Sequence, residues 1–201
     1  INYLKQTKDI VKARALYQTI KQTELYDAKM KFYQTSVSLD AYSNEIGRIR
    51  AFTKGWLERE SNFLHMTYKY LLGLLKAGLY DEFFLEMDTN LVCFMNPEVY
   101  GRSPLENSSF IATSTNPDPN KHGQGFVSRL SGSTAEMLSM YKEMFIVKKP
   151  FHYENGTLTL VFKPVLHHRF FKDGRVSFRF FDTKVTYVNA HNLNTFDRNA
   201  V

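Results

Sequence analysis

One stretch of the chain constrains the fold more than any other. From Phe63 to Gly78 the sequence reads FLHMTYKYLLGLLKAG, in which large apolar side chains fall on nearly every face of a helix. A helix that is apolar all round has to be buried all round. Gly78 supplies a stop signal, because glycine readily adopts the left-handed conformation that ends many helices. We predict a buried helix over ERESNFLHMTYKYLLGLLKAG, joined by a very short link to a partner helix in LYDEFFLEMDTNLVCFM as an antiparallel hairpin.

A second helix is predicted where the loop RLSGS opens onto TAEMLSMY. Ser133 and Glu136 have the spacing of a capping box, in which the serine oxygen accepts a backbone N–H and the glutamate reaches back to the serine N–H. The Ser131-Gly132-Ser133 turn before the helix has small side chains and leaves backbone N–H groups free. Helix N-termini of this kind attract anions, and phosphate above all. An ordinary capped helix is the alternative interpretation.

The C-terminal quarter has the pattern of strands. After Pro150 the segments FHYENG, TLTLVFKP and RFFKDGRVSFRFFDTKVTYVN alternate in polarity, and Asn155-Gly156 and Asp173-Gly174 are hairpin turn signals. Upstream, SLDAYSNEIGRIRAF is a short helical candidate, and the Gly-, Pro- and Ser-rich stretch over 96–130 predicts a long polar loop that lines a cavity. The expected fold is α+β, with a mainly helical part over 1–149 and an antiparallel β-segment over 150–201.

Composition excludes several classes of protein. The 201 residues carry a formal charge of +6, but the lysines and arginines form no known nucleic-acid motif, so we expect solvated charge and no nucleic-acid partner. The single cysteine, Cys93, excludes a disulfide framework and favours a reducing, cytoplasmic compartment. No apolar run has the length of a signal peptide or a membrane span, so no membrane partner is expected. Because the chain begins at Ile1, we expect a piece of a longer protein.

The chain contains no self-sufficient catalytic or metal-binding motif. Two features still suggest a site. His65 is the one side chain of the apolar helix that titrates near neutral pH, and its burial requires an anion or a hydrogen-bond partner such as a backbone carbonyl. Glu58 and Glu60 precede it and either orient sugar hydroxyls or place favourable charge in the first turn of the helix.

These residues also suggest a family. The order ERESNFLH, NPEVYGRS and RLSGSTAEM resembles the C-terminal part of the glycoside phosphorylases that include cellobiose, chitobiose and β-1,2-oligoglucan phosphorylases. The resemblance extends from about Ile46 to about Asn189. It implies the last helices of an (α/α)6 barrel followed by a β-sandwich segment. It also implies inverting phosphorolysis of a β-linked glucan or glucoside to a sugar 1-phosphate, with inorganic phosphate as co-substrate and no cofactor or metal.

The resemblance assigns roles residue by residue. It implies phosphate binding by His65, Ser131 and Gly132, sugar contact by Glu58, and a place beside the sugar cavity for Tyr100. The family's general acid and a phosphate-binding arginine belong to an earlier part of the barrel, and no carboxylate of this chain matches the acid's motif. We therefore expect no catalytic residue here, no phosphorolysis by this chain alone, and self-association or contact with a missing N-terminal part.

Two alternatives stay open. The first is a non-catalytic carbohydrate-binding or scaffold module, for which the aromatic residues of the C-terminal strands could form a platform. Alternation places Phe178 and Phe180 on one face of a strand, which also fits a core. The second alternative is a glycoside hydrolase of the same architecture that uses water in place of phosphate.

Overall fold

The computed structural model describes residues 1–127 and 132–197, and it shows a mixed α+β protein with two compact units, Ile1–Leu138 and Ser139–Val201. The division falls inside a helix, whereas the sequence predicts a change between residues 149 and 150. The secondary structure does change close to that point, because helix gives way to strand between Phe145 and Phe151. Among the described residues, no helix is long and apolar enough to cross a bilayer.

Six α-helices are described: α1 Asn2–Gln6, α2 Ile10–Lys21, α3 Leu64–Lys76, α4 Tyr80–Asn90, α5 Pro97–Tyr100 and α6 Gly132–Phe145. Nine of the thirteen residues of α3 are buried, as its all-round apolar pattern predicts. It packs against α4, its partner across a three-residue link, and against α1. The predicted helical hairpin is therefore present.

The end of α3 follows the prediction and its start does not. Gly78 has a φ of +78°, and its N–H donates to Leu75 while the N–H of Leu79 donates to Leu74, which together close the helix as a Schellman motif. At the other end α3 begins at Leu64, because the two residues before it are extended and pair as a strand. Glu58 and Glu60 consequently lie outside any first helical turn.

Five short strands are described in the first unit. Strands β1 Tyr26–Asp27 and β2 Phe32–Tyr33 form an antiparallel pair, and a three-stranded antiparallel sheet has the order β3 Asn62–Phe63, β4 Phe110–Ile111, β5 Gly125–Phe126. The segment predicted as a polar, cavity-lining loop thus contains α5, β4 and β5. Its stretch Ser108 to Thr113 is buried, since apolar residues in the middle of it join the core.

Up to residue 197 the second unit shows two separate antiparallel hairpins, β6 Phe151–Glu154 with β7 Thr157–Leu160, and β8 Arg175–Phe180 with β9 Thr183–Val188. Asn155-Gly156 forms the first turn with positive φ at both residues, as predicted. Asp173-Gly174 is also a turn, but it precedes β8 and joins no two named strands. The turn between β8 and β9 is at Phe181 and Asp182, and it contains no glycine from which a turn could be predicted.

The short helical candidate upstream is also corrected. Residues of SLDAYSNEIGRIRAF form two 3₁₀ turns, Asn44–Ile46 and Arg48–Ala51, in place of an α-helix. Gly47 between them has a φ of +105°, a conformation that interrupts a continuous helix.

Candidate functional site

The fold brings two of the residues implied in phosphate binding into contact. His65 lies in the first turn of α3, and Gly132 opens the described part of α6. A methyl group added at Gly132 would lie 2.6 Å from Nδ1 of His65 and 2.8 Å from two carbons of its ring. The backbone of Gly132 therefore rests directly against the imidazole. A larger residue at this position would displace the imidazole from its place against the helix backbone.

The third implied phosphate ligand, Ser131, lies outside the described residues. The predicted capping box of Ser133 and Glu136 is wrong, because α6 already includes Gly132 and so places Ser133 inside the helix. Ser133 is only 1% exposed, and its hydroxyl has no hydrogen-bond partner within residues 1–127 and 132–197. The carboxylate of Glu136 faces Lys5 and His65 of other helices and does not reach back to the start of α6.

Glu136 joins two positively chargeable groups from other helices. Its carboxylate lies 3.8 Å from Nε2 of His65 and 3.7 Å from Nζ of Lys5 in α1. The His65 side chain is 28% exposed, so the expectation of a buried histidine is corrected, and the group facing its Nε2 is a carboxylate. Three helices thus contribute residues to one small, mostly charged group. We call it the His65 cluster, and its members are Lys5, His65, Lys69, Gly132, Ser133 and Glu136.

The His65 cluster favours the neutral form of the imidazole. Partial burial lowers the pKa of His65, the positive charges of Lys69 and Lys5 lower it further, and the negative charge of Glu136 opposes them. An anion arriving beside the ring would act in the same direction as Glu136. It would therefore favour protonation of His65 and gain a charged partner by doing so.

A row of aromatic rings leads to the His65 cluster. The register of the three-stranded sheet aligns Phe63, Phe110 and Phe126, whose ring centroids are 4.7 Å and 5.6 Å apart along the row. Trp56 stacks on Phe126 with centroids 3.6 Å apart, and at the other end Phe63 meets the edge of the His65 ring at 6.1 Å. Phe110 is buried, while the other members are partly exposed.

The sequence gives little indication of this row. Its members come from three separate regions of the chain, and the strands that align the phenylalanines are two residues long, too short for an alternating pattern to be recognised. The one available signal is that Phe110 and Phe126 stand out as apolar residues in a polar segment.

The two residues implied in sugar binding are placed elsewhere. Glu58 forms an ion pair with Arg48 at 2.7 Å, in which both side chains are well exposed to solvent. Tyr100 is 1% exposed; its hydroxyl donates to the carbonyl of Glu106 at 2.7 Å and accepts from the N–H of Ser108 at 2.8 Å. Burial raises the pKa of Tyr100. Within the described residues no contact joins Glu58 or Tyr100 to His65.

The surroundings of Tyr100 explain its burial. The ring lies against Gly125 so closely that a methyl group there would overlap with it. Tyr100 therefore holds the buried turn around Ser108 and the start of β5 together. This is a packing role in the described structure, and it leaves the hydroxyl already engaged in two hydrogen bonds.

Among the described residues, no group of three histidine, cysteine or carboxylate side chains is arranged to hold a metal ion. No protein-family model matches this chain, and no curated protein matches it either.

Proposed function

We propose that this chain is the C-terminal part of a glycoside phosphorylase-like, carbohydrate-active enzyme and that it supplies the phosphate-binding side of the site. The observation that carries the proposal is the contact between His65 and Gly132, which joins the start of α3 to the N-terminal end of α6. In the whole protein, phosphate would attack the anomeric carbon of a β-linked oligosaccharide and release a sugar 1-phosphate.

The charges of the His65 cluster suit an anion with more than one negative charge. Lys5, Lys69 and a protonated His65 together outweigh the single carboxylate of Glu136. The positive end of the α6 dipole adds to this field. A phosphate would compete with Glu136 for Lys5 and for the imidazole of His65, the two groups that the carboxylate contacts. Glu136 thus serves as an internal substitute for the anion, and it keeps Lys5 and the imidazole together until phosphate arrives.

The aromatic row supports a sugar site next to this anion site. Apolar faces of sugar rings pack well on aromatic side chains, which line most ligand sites. The row ends at Phe63, beside His65, so a glycosyl group over it would lie close to an anion at the imidazole. In this proposal Phe63 holds the glycosyl group beside the anion, and Trp56 at the other end of the row holds a further sugar unit of the oligosaccharide. The tyrosine at position 100 holds neither.

The rest of the proposal follows from the resemblance. The α3–α4 pair would belong to the last helices of an (α/α)6 barrel, the hairpins of the second unit to the following β-sandwich, and the whole protein would work in the cytoplasm. No residue of this chain matches the general acid that protonates the leaving group. We therefore expect that the chain by itself releases no sugar 1-phosphate from β-glucans above a protein-free control.

Binding of inorganic phosphate tests the proposal directly. Isothermal titration of the chain with phosphate should give a saturable heat, and His65→Ala should weaken the affinity at least about tenfold, as expected for a lost charge-assisted hydrogen bond. Gly132→Ala should do the same by displacing the imidazole. His122→Ala, which removes a histidine bonded to the carbonyl of Asn116, is the control and should leave the affinity unchanged. Equal affinities in all four proteins would contradict the proposal.

The aromatic row also favours a second candidate, a carbohydrate-binding module without chemistry. Such a module would bind β-linked oligosaccharides, lose that binding in Trp56→Ala, and show no phosphate binding at all. A hydrolase of the same architecture is distinguished in the whole protein, because removal of phosphate stops a phosphorylase and leaves a hydrolase active.

A further inference from the structure

The β8–β9 hairpin has one apolar face and one basic face. Along β8 exposed and half-buried residues alternate, and the half-buried ones are Val176, Phe178 and Phe180. They pack with aromatic rings of the same unit, among them Phe162 and Tyr187. The alternate, exposed residues of β8 are Arg175, Ser177 and Arg179.

The strand register concentrates positive charge on the exposed face. Arg179 lies directly opposite Lys184 of β9, and Lys172 bridges to Arg175 across the turn that precedes β8. Ser177 and Thr186 lie between these pairs with their hydroxyls 2.8 Å apart. Like charges directly opposite each other destabilise a pair of strands. None of these four cations forms an ion pair with a carboxylate of the described residues.

The hairpin is also incomplete as a sheet. Within residues 1–127 and 132–197, β8 pairs with no named strand except β9. The N–H of Arg175 on its other edge donates to the carbonyl of Lys172 at 3.0 Å, so the open part of that edge begins at the carbonyl of Arg175. An isolated two-stranded hairpin is marginally stable unless a third strand or a helix supports it. Here Phe178 packs on Phe145 of α6, and a third strand would add to that support. Residues 139–197 include nine lysines and arginines but only five aspartates and glutamates, so this part of the chain supplies few carboxylates to neutralise them.

We propose that the free edge of β8 binds an extended acidic segment of another polypeptide as a third strand. Strand addition would satisfy the backbone of β8, and side-chain alternation would set the specificity. Carboxylates opposite Arg175 and Arg179 would neutralise the basic face, with a hydroxyl residue opposite Ser177 between them. Apolar residues at the intervening positions would extend the face formed by Val176, Phe178 and Phe180.

A short peptide tests the register. The probe has glutamate at its second and sixth positions, valine at the third, fifth and seventh, and threonine elsewhere. A second peptide of the same composition moves one glutamate to the opposite face. Fluorescence anisotropy should show that the full chain binds the first peptide at least about tenfold more tightly than the second. Hydrogen exchange should show new protection of β8 amides only with the first peptide.

Three double variants distinguish the binding of a specific strand from general electrostatic attraction. Arg175→Glu with Arg179→Glu should abolish binding, and Arg175→Gln with Arg179→Gln should weaken it while the fold is retained by circular dichroism. Lys148→Glu with Lys149→Glu changes the charge equally at exposed residues outside the hairpin and should have little effect. Equal losses in both Glu variants, equal binding of the two peptides, or stronger binding of a single-stranded oligonucleotide without β8 protection would overturn the proposal. Absence of binding would also overturn the proposal, because the cations of β8 would then serve only to keep other strands from pairing with its edge.

Discussion

At the scale of single residues, the behaviour of His65 is set by charges from three helices. Lys69 lies on its own helix, Lys5 on α1 and Glu136 on α6. The lysines and the carboxylate act on the imidazole with opposite signs, and burial adds to the effect of the lysines. Because these influences are separable by mutation, the protonation of one side chain reports on the whole cluster.

The corresponding prediction concerns the pKa of His65, which NMR of its ring protons can follow. It should lie below the ordinary value of about 6.5 for histidine. Lys69→Met should raise it, since a repelling charge is lost, and Glu136→Gln should lower it, since the attracting charge is lost. Added phosphate should raise it in the unmodified chain. Lys142→Met, a change in the last turn of α6, is the control and should not move it. Shifts of the same sign in Lys69→Met and Glu136→Gln would refute this account of the cluster.

How much of the site could be predicted is clearest at individual residues. The family resemblance implies that His65 and Gly132 both bind phosphate, which stays a prediction, and the structure places the two residues in contact. The role of Glu136 could not be predicted, because a glutamate three residues after a serine suits a capping box and a charge cluster equally well. Only the position of Lys5 and His65 in space decides between them.

At the scale of elements, one buried carboxylate joins α2 to α4. Glu86 of α4 is 2% exposed, and its Oε1 accepts from the hydroxyl of Tyr17 and from Nζ of Lys21, both at 2.6 Å. Burial and the bond to Glu86 raise the pKa of Tyr17. Burial alone would lower the pKa of Lys21, but its bonds to Glu86 and Tyr17 outweigh burial and raise it. Lys21 thus stays protonated throughout the physiological range.

Removal of this carboxylate should destabilise the first unit strongly. Glu86→Ala leaves a partly buried ammonium and a buried hydroxyl without their acceptor, and we expect a loss of about 3 kcal/mol in the free energy of unfolding by urea. Arg14→Ala is the matched control, because Arg14 and Glu82 join the same two helices at 2.5 Å with the arginine half exposed. It should lose less than about 1 kcal/mol. Similar losses in both variants would argue against a special role for Glu86.

The elements also show where sequence patterns succeed and fail. The end of α3 and the Asn155-Gly156 turn were predictable because one local conformation, positive φ at glycine or asparagine, determines each. The start of α3 was not, since residues 62 and 63 are extended by pairing with residues more than forty positions away. The turn at Phe181 and Asp182 is set by strand pairing and not by its own residues.

At the scale of the whole molecule, the two units differ in how much they bury. The first unit has a core that includes nine residues of α3. In the second, every residue of β6 and β7 is exposed, and large apolar side chains such as Tyr153 and Phe181 are more than 70% exposed. The self-association expected from exposed apolar surface remains a prediction, and light scattering over a range of concentrations would test it.

Hydrogen exchange should reveal this difference. We expect the amides of α3 to exchange slowest and those of β6 and β7 fastest, because local opening is easiest where few apolar contacts are lost. Mass spectrometry after pulses of deuterium can follow both segments in one experiment. Protection of β6 and β7 equal to that of α3 would mean that other contacts stabilise the hairpin, for example in a self-associated form.

The close approach of Gly125 to Tyr100 has a consequence for how such sequences can diverge. The ring of Tyr100 fills the space next to residue 125, and its hydroxyl makes two hydrogen bonds to the neighbouring turn. Neither position can therefore change alone without a loss of packing. In descendants of this sequence we expect the two to vary together, with a larger residue at 125 only where the tyrosine has been replaced by a smaller one.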